Sequence, residues 1–152
     1  KFKDSKQLCF DDILMVPQHS DIESRKDVSL SMIIGNDIIL GFPVIASPMD
    51  TVCELDMAVA IGKSGGLGII HRFMLIEEQI KQVESAAKDH RVIIGAAVGA
   101  KGSYLHDAER LVDAGASVIL VDTANGHSQY AIDAVKNLKK LFLGKKMHSS
   151  YF

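Results

Sequence analysis

The sequence predicts an α/β domain built on a parallel sheet. Four apolar runs with the character of buried strands recur about every 25 residues, at residues 44–46, 67–70, 92–98 and 118–121. The segments that follow them carry helical periodicity instead of strand alternation. Strands and helices that alternate in this order form parallel sheets through right-handed crossovers. The spacing fits either half of an eight-stranded barrel or a four-stranded open sheet.

Each helix is predicted from apolar side chains that repeat on one face. The four sets are Met57, Ala58 and Ile61; Ile76, Ile80, Val83 and Ala87; Leu105, Ala108, Leu111 and Val112; and Ile132, Val135, Leu138 and Leu141. Gly65-Gly66 and Gly115 follow the first and third helices, where a left-handed residue often ends a helix. Ser128 is placed to cap the start of the last helix. These signals predict the order βαβαβαβα.

The first forty residues follow a different pattern. Two short apolar pieces, residues 8–17 and 37–40, are separated by polar turns. We expect an N-terminal cap or hairpin over residues 1–41 and a partial α/β barrel over residues 42–152, both within a single structural domain. Since a full α/β barrel takes about 250 residues, 152 residues are too few for one.

Composition excludes several classes of function. The chain is 47% hydrophobic and 24% charged with a net charge of −2, which gives no electrostatic case for nucleic acid or an anionic membrane. No apolar run reaches membrane-spanning length, and the first residues lack the core of a signal peptide. Cys9 and Cys53 fit no disulfide framework, so we expect a reducing, cytoplasmic location. The six histidines show no metal-ligand spacing, so no metal site is predicted.

Candidate ligand contacts follow two of the predicted strands, at the sheet edge where α/β proteins bind ligands. Asp122, with the small Thr123 and Ala124 after it, could accept hydrogen bonds from ribose hydroxyls. Its alternative role is to cap the following turn or helix. Ser47 could donate to a phosphate, and Met49 could offer an adaptable apolar surface to a base. For Met49 the alternative is core packing.

Two further features have plain structural interpretations. The run Gly65-Gly66-Leu67-Gly68 precedes a strand, whereas a phosphate loop leads from a strand into a helix, so a helix stop with tight packing is favoured. His71 and His127 lie just past strand ends and are candidates to line a site. The other histidines and the lysines near the C-terminus are expected on the surface.

Five ordered segments resemble one known family, the IMP dehydrogenases and GMP reductases. Residues 8–17 resemble its "LTFDDVLLVP" opening, residues 46–54 its "SSPMDTVTE" segment, and residues 65–71 its "GGIGIIH". Residues 95–99 match "GAAVG", and residues 121–128 are similar to "VDTAHGHS". Together they extend over nearly the whole chain. A different phosphate-binding barrel that shares the layout alone is a weaker alternative.

The resemblance implies a (β/α)8 TIM barrel, of which this chain covers roughly the first four β/α units. It implies a purine nucleoside monophosphate bound beside NAD, in a homo-oligomer that is a tetramer in the family and can use a monovalent cation. Ser47 and Met49 match positions that contact the nucleotide. Asp122, Thr123 and Ala124 match the stretch that lines the nicotinamide–ribose site. In the family chemistry a cysteine thiolate attacks purine C2, hydride passes to NAD, and water releases XMP.

Three departures limit what can be carried over. Nothing after Ser128 resembles the catalytic "GPGSICTTR" loop, and Cys9 and Cys53 lie in other motifs. Residues 143–152 stand where a fifth strand and its "GN" ending are expected. Residues 88–91 connect directly to the "GAAVG" segment, where most IMP dehydrogenases insert a tandem CBS module. We therefore expect a chain truncated before its catalytic cysteine loop and inactive alone.

Two activities stay open within the resemblance. Asn125 matches the reductase pattern "DVANGYS", whereas Thr123, His127 and the "SPMDTVCE" of residues 47–54 match the dehydrogenase. We favour an NAD-dependent IMP dehydrogenase that forms XMP for guanine nucleotide synthesis. The alternatives are a GMP reductase, which uses NADPH to convert GMP to IMP, and a non-catalytic nucleotide-binding half-barrel. The half-barrel would need a dimer or larger assembly to cover its exposed strand edges.

Overall fold

The computed structural model describes residues 8–35, 38–143 and 150–151. Two short 3₁₀ helices, Phe10–Asp12 and Arg25–Asp27, precede the regular elements. The strands and helices are β1 (Met32–Ile34), β2 (Ile38–Leu40), β3 (Ile45–Ala46), α1 (Leu55–Lys63), β4 (Leu67–Ile70), α2 (Ile76–Ala87), β5 (Ile94–Val98), α3 (Tyr104–Asp113), β6 (Val118–Val121), α4 (Gln129–Phe142) and β7 (Ser150–Tyr151). The alternation of strands and helices from β3 onward confirms the predicted order.

The main sheet is parallel and has five strands in the sequential order β3-β4-β5-β6-β7. Among the described residues, β7 is thus a strand beyond the four predicted from the apolar runs. β7 pairs with β6 through Ser150 opposite Val118 and Tyr151 opposite Ile119. A doubly wound sheet reverses its strand order at a switch point, and no such reversal occurs among the described strands.

The two faces of the sheet are covered by different elements. Alternate strand residues such as Ile94, Ala96 and Ile119 pack in one core with side chains of the four helices. Their neighbours in sequence point the other way and pack against the antiparallel hairpin β1–β2. This second core consists of Ile34, Ile38, Leu40, Leu67, Ile69, Ala97 and Val118. Each of the four α-helices thus contributes to one core, on a single face of the sheet.

The hairpin accounts for part of the expected N-terminal cap. Residues 32–40 fold back on themselves and bury Ile34, Ile38 and Leu40 against the sheet. Residues 8–31, which precede it, are exposed, with Phe10 92% and Leu14 96% accessible to solvent. The boundary predicted at residue 41 stays a prediction.

The glycine run before β4 ends one helix and lets that helix approach the sheet. Gly65 has φ +88°, a left-handed conformation that side chains disfavour, directly after α1. A Cβ on Gly68 would overlap Cα of Ala58 in α1 and lie 2.6 Å from its Cβ. The interpretation as a helix stop with tight packing is confirmed.

Two details of burial differ from the predictions. The first strand was predicted to be buried, but Ile45 is 41% exposed because β3 has a single neighbour, β4, among the described strands. Helix α4 was predicted to bury the face of Ile132, Val135, Leu138 and Leu141. Leu138 is buried as predicted, whereas the other three are only partly buried. The buried face is completed by Ala131, Ala134 and Phe142.

Candidate functional site

A cavity of about 430 Å³ opens at the carboxyl edge of the sheet, where β4, β5 and β6 end. This volume lies within the range of ligand pockets, about 300–1,000 Å³. Each of the three strands contributes a loop to the lining. The lining residues are Arg72; Gly99, Ala100 and Lys101; and Asp122, Thr123, Ala124, Asn125, Ser128 and Tyr130.

Asp122 lies at the centre of these loops. Its backbone N–H donates to the carbonyl of Val98 at 2.8 Å, which continues the pairing of β5 and β6 by one residue. Its Oδ2 accepts a hydrogen bond from Nε of Arg72 at 3.0 Å, and the Asp122 side chain is 27% exposed. Asp122 is therefore held by its neighbours while part of its carboxylate faces the cavity.

Arg72 connects all three loops. It follows β4, donates to Asp122 after β6, and lies against the backbone after β5, where a Cβ on Gly99 would lie 3.8 Å from its Nη1. Its Cζ is 4.8 Å from the centroid of the Phe73 ring, within cation–π range. The guanidinium is thus supported on several sides.

Thr123 carries an unusual hydroxyl. Its Oγ1 is buried, yet it finds no hydrogen-bond partner in the described part of the chain. A buried hydroxyl without a partner costs roughly 1–3 kcal/mol. This atom lies in a residue that lines the cavity, so a ligand there could satisfy it.

The rest of the β6 loop is fixed by local hydrogen bonds. Asn125 Oδ1 accepts from the backbone N–H of His127 at 3.0 Å, and Ser128 Oγ accepts from that of Ala131 at 3.3 Å. The second bond confirms Ser128 as the N-cap of α4. Ala124 is exposed within the cavity lining.

The charge of the described lining is positive overall. Arg72 and Lys101 line the cavity together with the single carboxylate of Asp122. Lys101 Nζ lies 4.1 Å from the centroid of the Tyr130 ring, which holds the ammonium group at the cavity. Two cations and one carboxylate suit a ligand that carries both hydroxyls and negative charge.

A buried glutamine links the carboxyl ends of two of the strands whose loops line this cavity. Gln79 of α2 is 3% exposed, and its Nε2 donates to the carbonyls of Ile70 at 3.3 Å and Ala97 at 2.9 Å. Both N–H groups of the Gln79 amide therefore donate to carbonyls near the carboxyl ends of β4 and β5. The loops that carry Arg72 and Gly99 start from this fixed spacing.

The loop after β3 does not join this cavity. Ser47 is exposed, Met49 is 52% exposed, and neither lines the cavity beside Asp122. A second cavity of about 450 Å³ opens next to them without including either residue. It is lined by Asp50, Thr51, Val52, Glu54, Leu55, Asp56, Met57 and Gln82. The structure thus brings Asp122, Thr123 and Ala124 together and leaves Ser47 and Met49 apart from them.

Neither histidine candidate lines the cavity beside Asp122. His71 is 2% exposed; its Nδ1 accepts from the backbone N–H of Phe73 at 3.1 Å, and its Nε2 lies 3.3 Å from Oε1 of Glu54. His71 therefore supports the loop that carries Arg72. His127 is exposed.

The two cysteines differ in their surroundings. Cys53 is fully buried, and burial raises the pKa of its thiol. Since the thiolate is the reactive form, Cys53 is poorly suited to act as a nucleophile. Cys9 is exposed in the N-terminal segment, where its Sγ donates to the carboxylate of Asp12.

Within residues 8–35, 38–143 and 150–151, no group of three or more His, Cys, Asp or Glu side chains is arranged to hold a metal ion. In the same residues no helix is long and apolar enough to cross a membrane.

Arg72, Lys101 and Tyr130 were missed by reasoning from the sequence. Arg72 directly follows His71 at the end of β4, so the strand-end rule that selected His71 applied equally to it. Its opposite charge to Asp122 was the second signal. Lys101 and Tyr130 lie three and nine residues beyond the ends of β5 and β6. The conformation of the intervening loops therefore decides whether these side chains reach the cavity.

Comparison with known proteins gives a consistent result. The sequence model of the IMP dehydrogenase / GMP reductase domain matches residues 7–147. Similar proteins include inosine-5'-monophosphate dehydrogenase of Nitrosopumilus maritimus, 26% identical over 258 residues that take in 89% of this chain and 54% of the relative. GMP reductase of Leishmania donovani is 44% identical, and inosine-5'-monophosphate dehydrogenase of Bacillus subtilis 46% identical, each over 87 residues, 57% of this chain and 18% of the relative. The chain spans about half or less of the length of these relatives.

Proposed function

The chain belongs to the IMP dehydrogenase / GMP reductase family, a family of oxidoreductases, and from that premise we propose that it forms the nicotinamide-binding part of a purine nucleotide oxidoreductase. We place the ribose of the cofactor in the cavity beside Asp122 and the purine nucleoside monophosphate near Ser47 and Met49. The observation that carries the proposal is that the Asp122 carboxylate and the unpartnered hydroxyl of Thr123 belong to adjacent residues that line the same cavity.

The residues of the cavity fit a nicotinamide dinucleotide. The carboxylate of Asp122 can accept from ribose hydroxyls, and Thr123 Oγ1 needs a partner that such a ligand can supply. Lys101 provides positive charge for phosphate groups, whereas Arg72 is engaged with Asp122. Ala124 leaves open space beside them.

The side chains of this chain would act by binding and orientation. Asp122 would hold the ribose, and the buried Gln79 would keep the strand ends at a fixed spacing. When bound, the nicotinamide ring supplies hydride exchange with the purine base. Holding both reactants in one geometry converts their encounter into an effectively unimolecular step.

The nucleophile of the reaction is not among the candidates in this chain. Cys53 is buried with a raised thiol pKa, and Cys9 belongs to the N-terminal segment. We therefore propose that the 152-residue chain binds nucleotide without turning it over. Closure into an eight-stranded barrel, for which the sequential sheet is suited, would bring the purine and nicotinamide sites together.

Between the two activities we favour the NAD-dependent oxidation of IMP to XMP. Thr123, with its orphan hydroxyl, occurs in the dehydrogenase pattern, and this residue lines the cavity. Reduction of GMP with NADPH is the second candidate, supported by Asn125, which also lines the cavity. The identities of 46% and 44% to a dehydrogenase and a reductase are too close to separate them.

The proposal is tested by titrating NAD into the purified chain and following protein amide signals by NMR, a method that detects weak binding. We expect saturable shifts in residues 99–101 and 122–125, and at least tenfold weaker binding for Asp122→Asn, since a hydrogen bond to a charged group is lost. A titration with NADPH under the same conditions tests the reductase alternative.

Three results would count against the proposal. The first is an absence of NAD and NADPH binding by the folded chain. The second is binding that Asp122→Asn leaves unchanged. Production of NADH from IMP by the chain would overturn the expected inactivity.

Light scattering that shows a monomer would argue against the alternative of a self-assembled, non-catalytic half-barrel.

A further inference from the structure

We propose that Arg72 is a positioning residue, which acts through Asp122 to present one face of that carboxylate to the cofactor ribose. The inference rests on the proposed function, because it takes the ligand of the cavity to be a nicotinamide dinucleotide. It assigns a role to a residue on the β4 loop, whereas the candidate cofactor contacts Asp122, Thr123 and Ala124 all lie on the β6 loop.

The first argument is how Arg72 engages Asp122. A single donor, Nε, contacts a single acceptor, Oδ2, at 3.0 Å. A carboxylate has two oxygens with about four acceptor positions in all. One arginine bond therefore fixes the orientation of the Asp122 side chain and leaves acceptor capacity for ligand hydroxyls. The pair is 36% and 27% exposed, so ligand can reach it from the cavity.

The second argument is that Arg72 is itself held before any ligand binds. The ring of Phe73 supports its guanidinium, with Cζ 4.8 Å from the ring centroid. The backbone N–H of Phe73 donates to Nδ1 of the buried His71, and Nε2 of His71 reaches Glu54 at the start of α1. This series of contacts anchors the β4 loop to the body of the domain. A pre-ordered side chain loses little conformational entropy when the ligand arrives.

The third argument is the shape of the side chain. Nε sits part-way along the arginine side chain, so Arg72 can donate from Nε while its Nη1 lies near Gly99 and its Cζ lies over the ring of Phe73. A lysine carries its charge and donors at a single terminal atom and cannot make these contacts together. Compared with Arg72→Met, we therefore expect Arg72→Lys to restore the positive charge of the site without restoring the orientation of the Asp122 carboxylate.

The test is a double-mutant cycle on NAD binding, measured by the same NMR titration. We expect Arg72→Met to raise Kd about tenfold, as for the loss of a charged hydrogen bond. In an Asp122→Asn background, the same change should raise Kd less than about twofold, since Arg72 would then have no carboxylate to orient. Arg72→Lys should recover less than half of the lost affinity on a logarithmic scale.

Arg110→Met is the matched control. Arg110 is 35% exposed, almost the same as Arg72, and it pairs with Glu77 at 3.4 Å on the helices away from the cavity. Its replacement should leave the Kd for NAD unchanged. Thermal unfolding of every variant checks that each is folded, and Arg72→Gln serves in place of Arg72→Met if the latter is not.

A second ligand separates orientation from general electrostatic attraction. With an NAD analogue that lacks both hydroxyls on the nicotinamide ribose, wild type and Arg72→Met should bind equally. Equal weakening for NAD and for the analogue, or additive effects of the two mutations, would overturn the role of Arg72. Absence of NAD binding by the wild type would overturn the proposed function and this inference together. NAD binding that Arg72→Met leaves unchanged would overturn this inference alone.

Discussion

Two strand-end loops have similar sequences but different surroundings. The β3 loop, residues 47–54, and the β6 loop, residues 122–128, each follow an apolar strand and combine an acidic residue with small polar residues. In the structure the β6 loop lines a cavity and its Asp122 pairs with Arg72. The candidate residues of the β3 loop, Ser47 and Met49, are exposed and line neither described cavity.

The difference lies in the neighbouring strands. β6 has β5 on one side and β7 on the other, so the loops after β4 and β5 extend beside its end. β3 has β4 alone among the described strands, and Ile45 is partly exposed as a result. The residues at a strand end therefore supply the polar groups of a site, whereas the loops after neighbouring strands enclose the cavity around them. Four measurements test this interpretation.

The largest effect is expected at Gly68 of β4, where helix α1 packs closely on the sheet. Gly68→Ala places a Cβ inside the contact with Ala58 of α1, and overpacking against backbone atoms should lower the free energy of unfolding by about 3 kcal/mol. Urea unfolding followed by circular dichroism measures this change. Gly126→Ala is the control, since no atom lies within 4 Å of its added Cβ. Equal stability of the two variants would contradict the close packing of α1.

A smaller effect separates the two loops by ligand binding. Thr123→Val removes the unpartnered hydroxyl of the β6 loop with little change in shape, and should weaken NAD binding by about 1 kcal/mol, or about fivefold. Ser47→Ala makes an equivalent change in the β3 loop and should leave the Kd for NAD unchanged in this chain. The NMR titration gives both values. A larger effect of Ser47→Ala would show that the β3 loop takes part in this cavity.

The helix caps that follow the two loops provide a third test. Ser128 caps α4 after the β6 loop through its hydrogen bond to the N–H of Ala131, whereas Glu54 makes no side-chain cap bond at the start of α1. Ser128→Ala should lower the free energy of unfolding by about 1 kcal/mol. Ser103→Ala is the matched control, because Ser103 precedes α3 but bonds to the side chain of Asp107. Equal losses for the two serines would argue against a special role for the cap of the β6 loop.

The smallest effect is expected at the opposite end of the sheet, in residues 88–91 before β5. Hydrogen bonds from Arg91 lower the pKa of Asp89 to about 2, from its ordinary value of 3.8. Because the folded state favours the ionised form, the contribution of Asp89 is present above pH 3.8 and is lost as the pH falls through about 2. Asp89→Asn should therefore lower Tm slightly near neutral pH, with the difference from wild type fading towards pH 2. Its Kd for NAD should match that of the wild type; a change would mean that the two ends of the sheet are coupled.

The sequence predicted the elements better than their environments. The strands β3 to β6, the four α-helices, the Ser128 cap and the glycine packing at Gly68 each depend on local pattern, and local pattern was sufficient for them. The exposure of Ile45 depends on which strands are adjacent, and the residues that α4 buries besides Leu138 depend on how the helix docks on the sheet. Asp122 could be selected because it follows its strand directly. Its partner Arg72 lies 50 residues away in sequence, and the contact exists because β4 and β6 both flank β5.

The short connection at residues 88–91 has a consequence for how such a domain can change during evolution. It lies on the amino side of the sheet, whereas the cavity beside Asp122 lies on the carboxyl side. The alignment with the relative from Nitrosopumilus maritimus extends over 258 residues, more than this whole chain contains, so that relative carries a long additional segment. A surface turn remote from the ligand pocket is a point where a module can be gained or lost without rebuilding the pocket. Because the connection and the cavity lie at opposite ends of the sheet, a segment inserted at residues 88–91 need not disturb the loops that line the cavity.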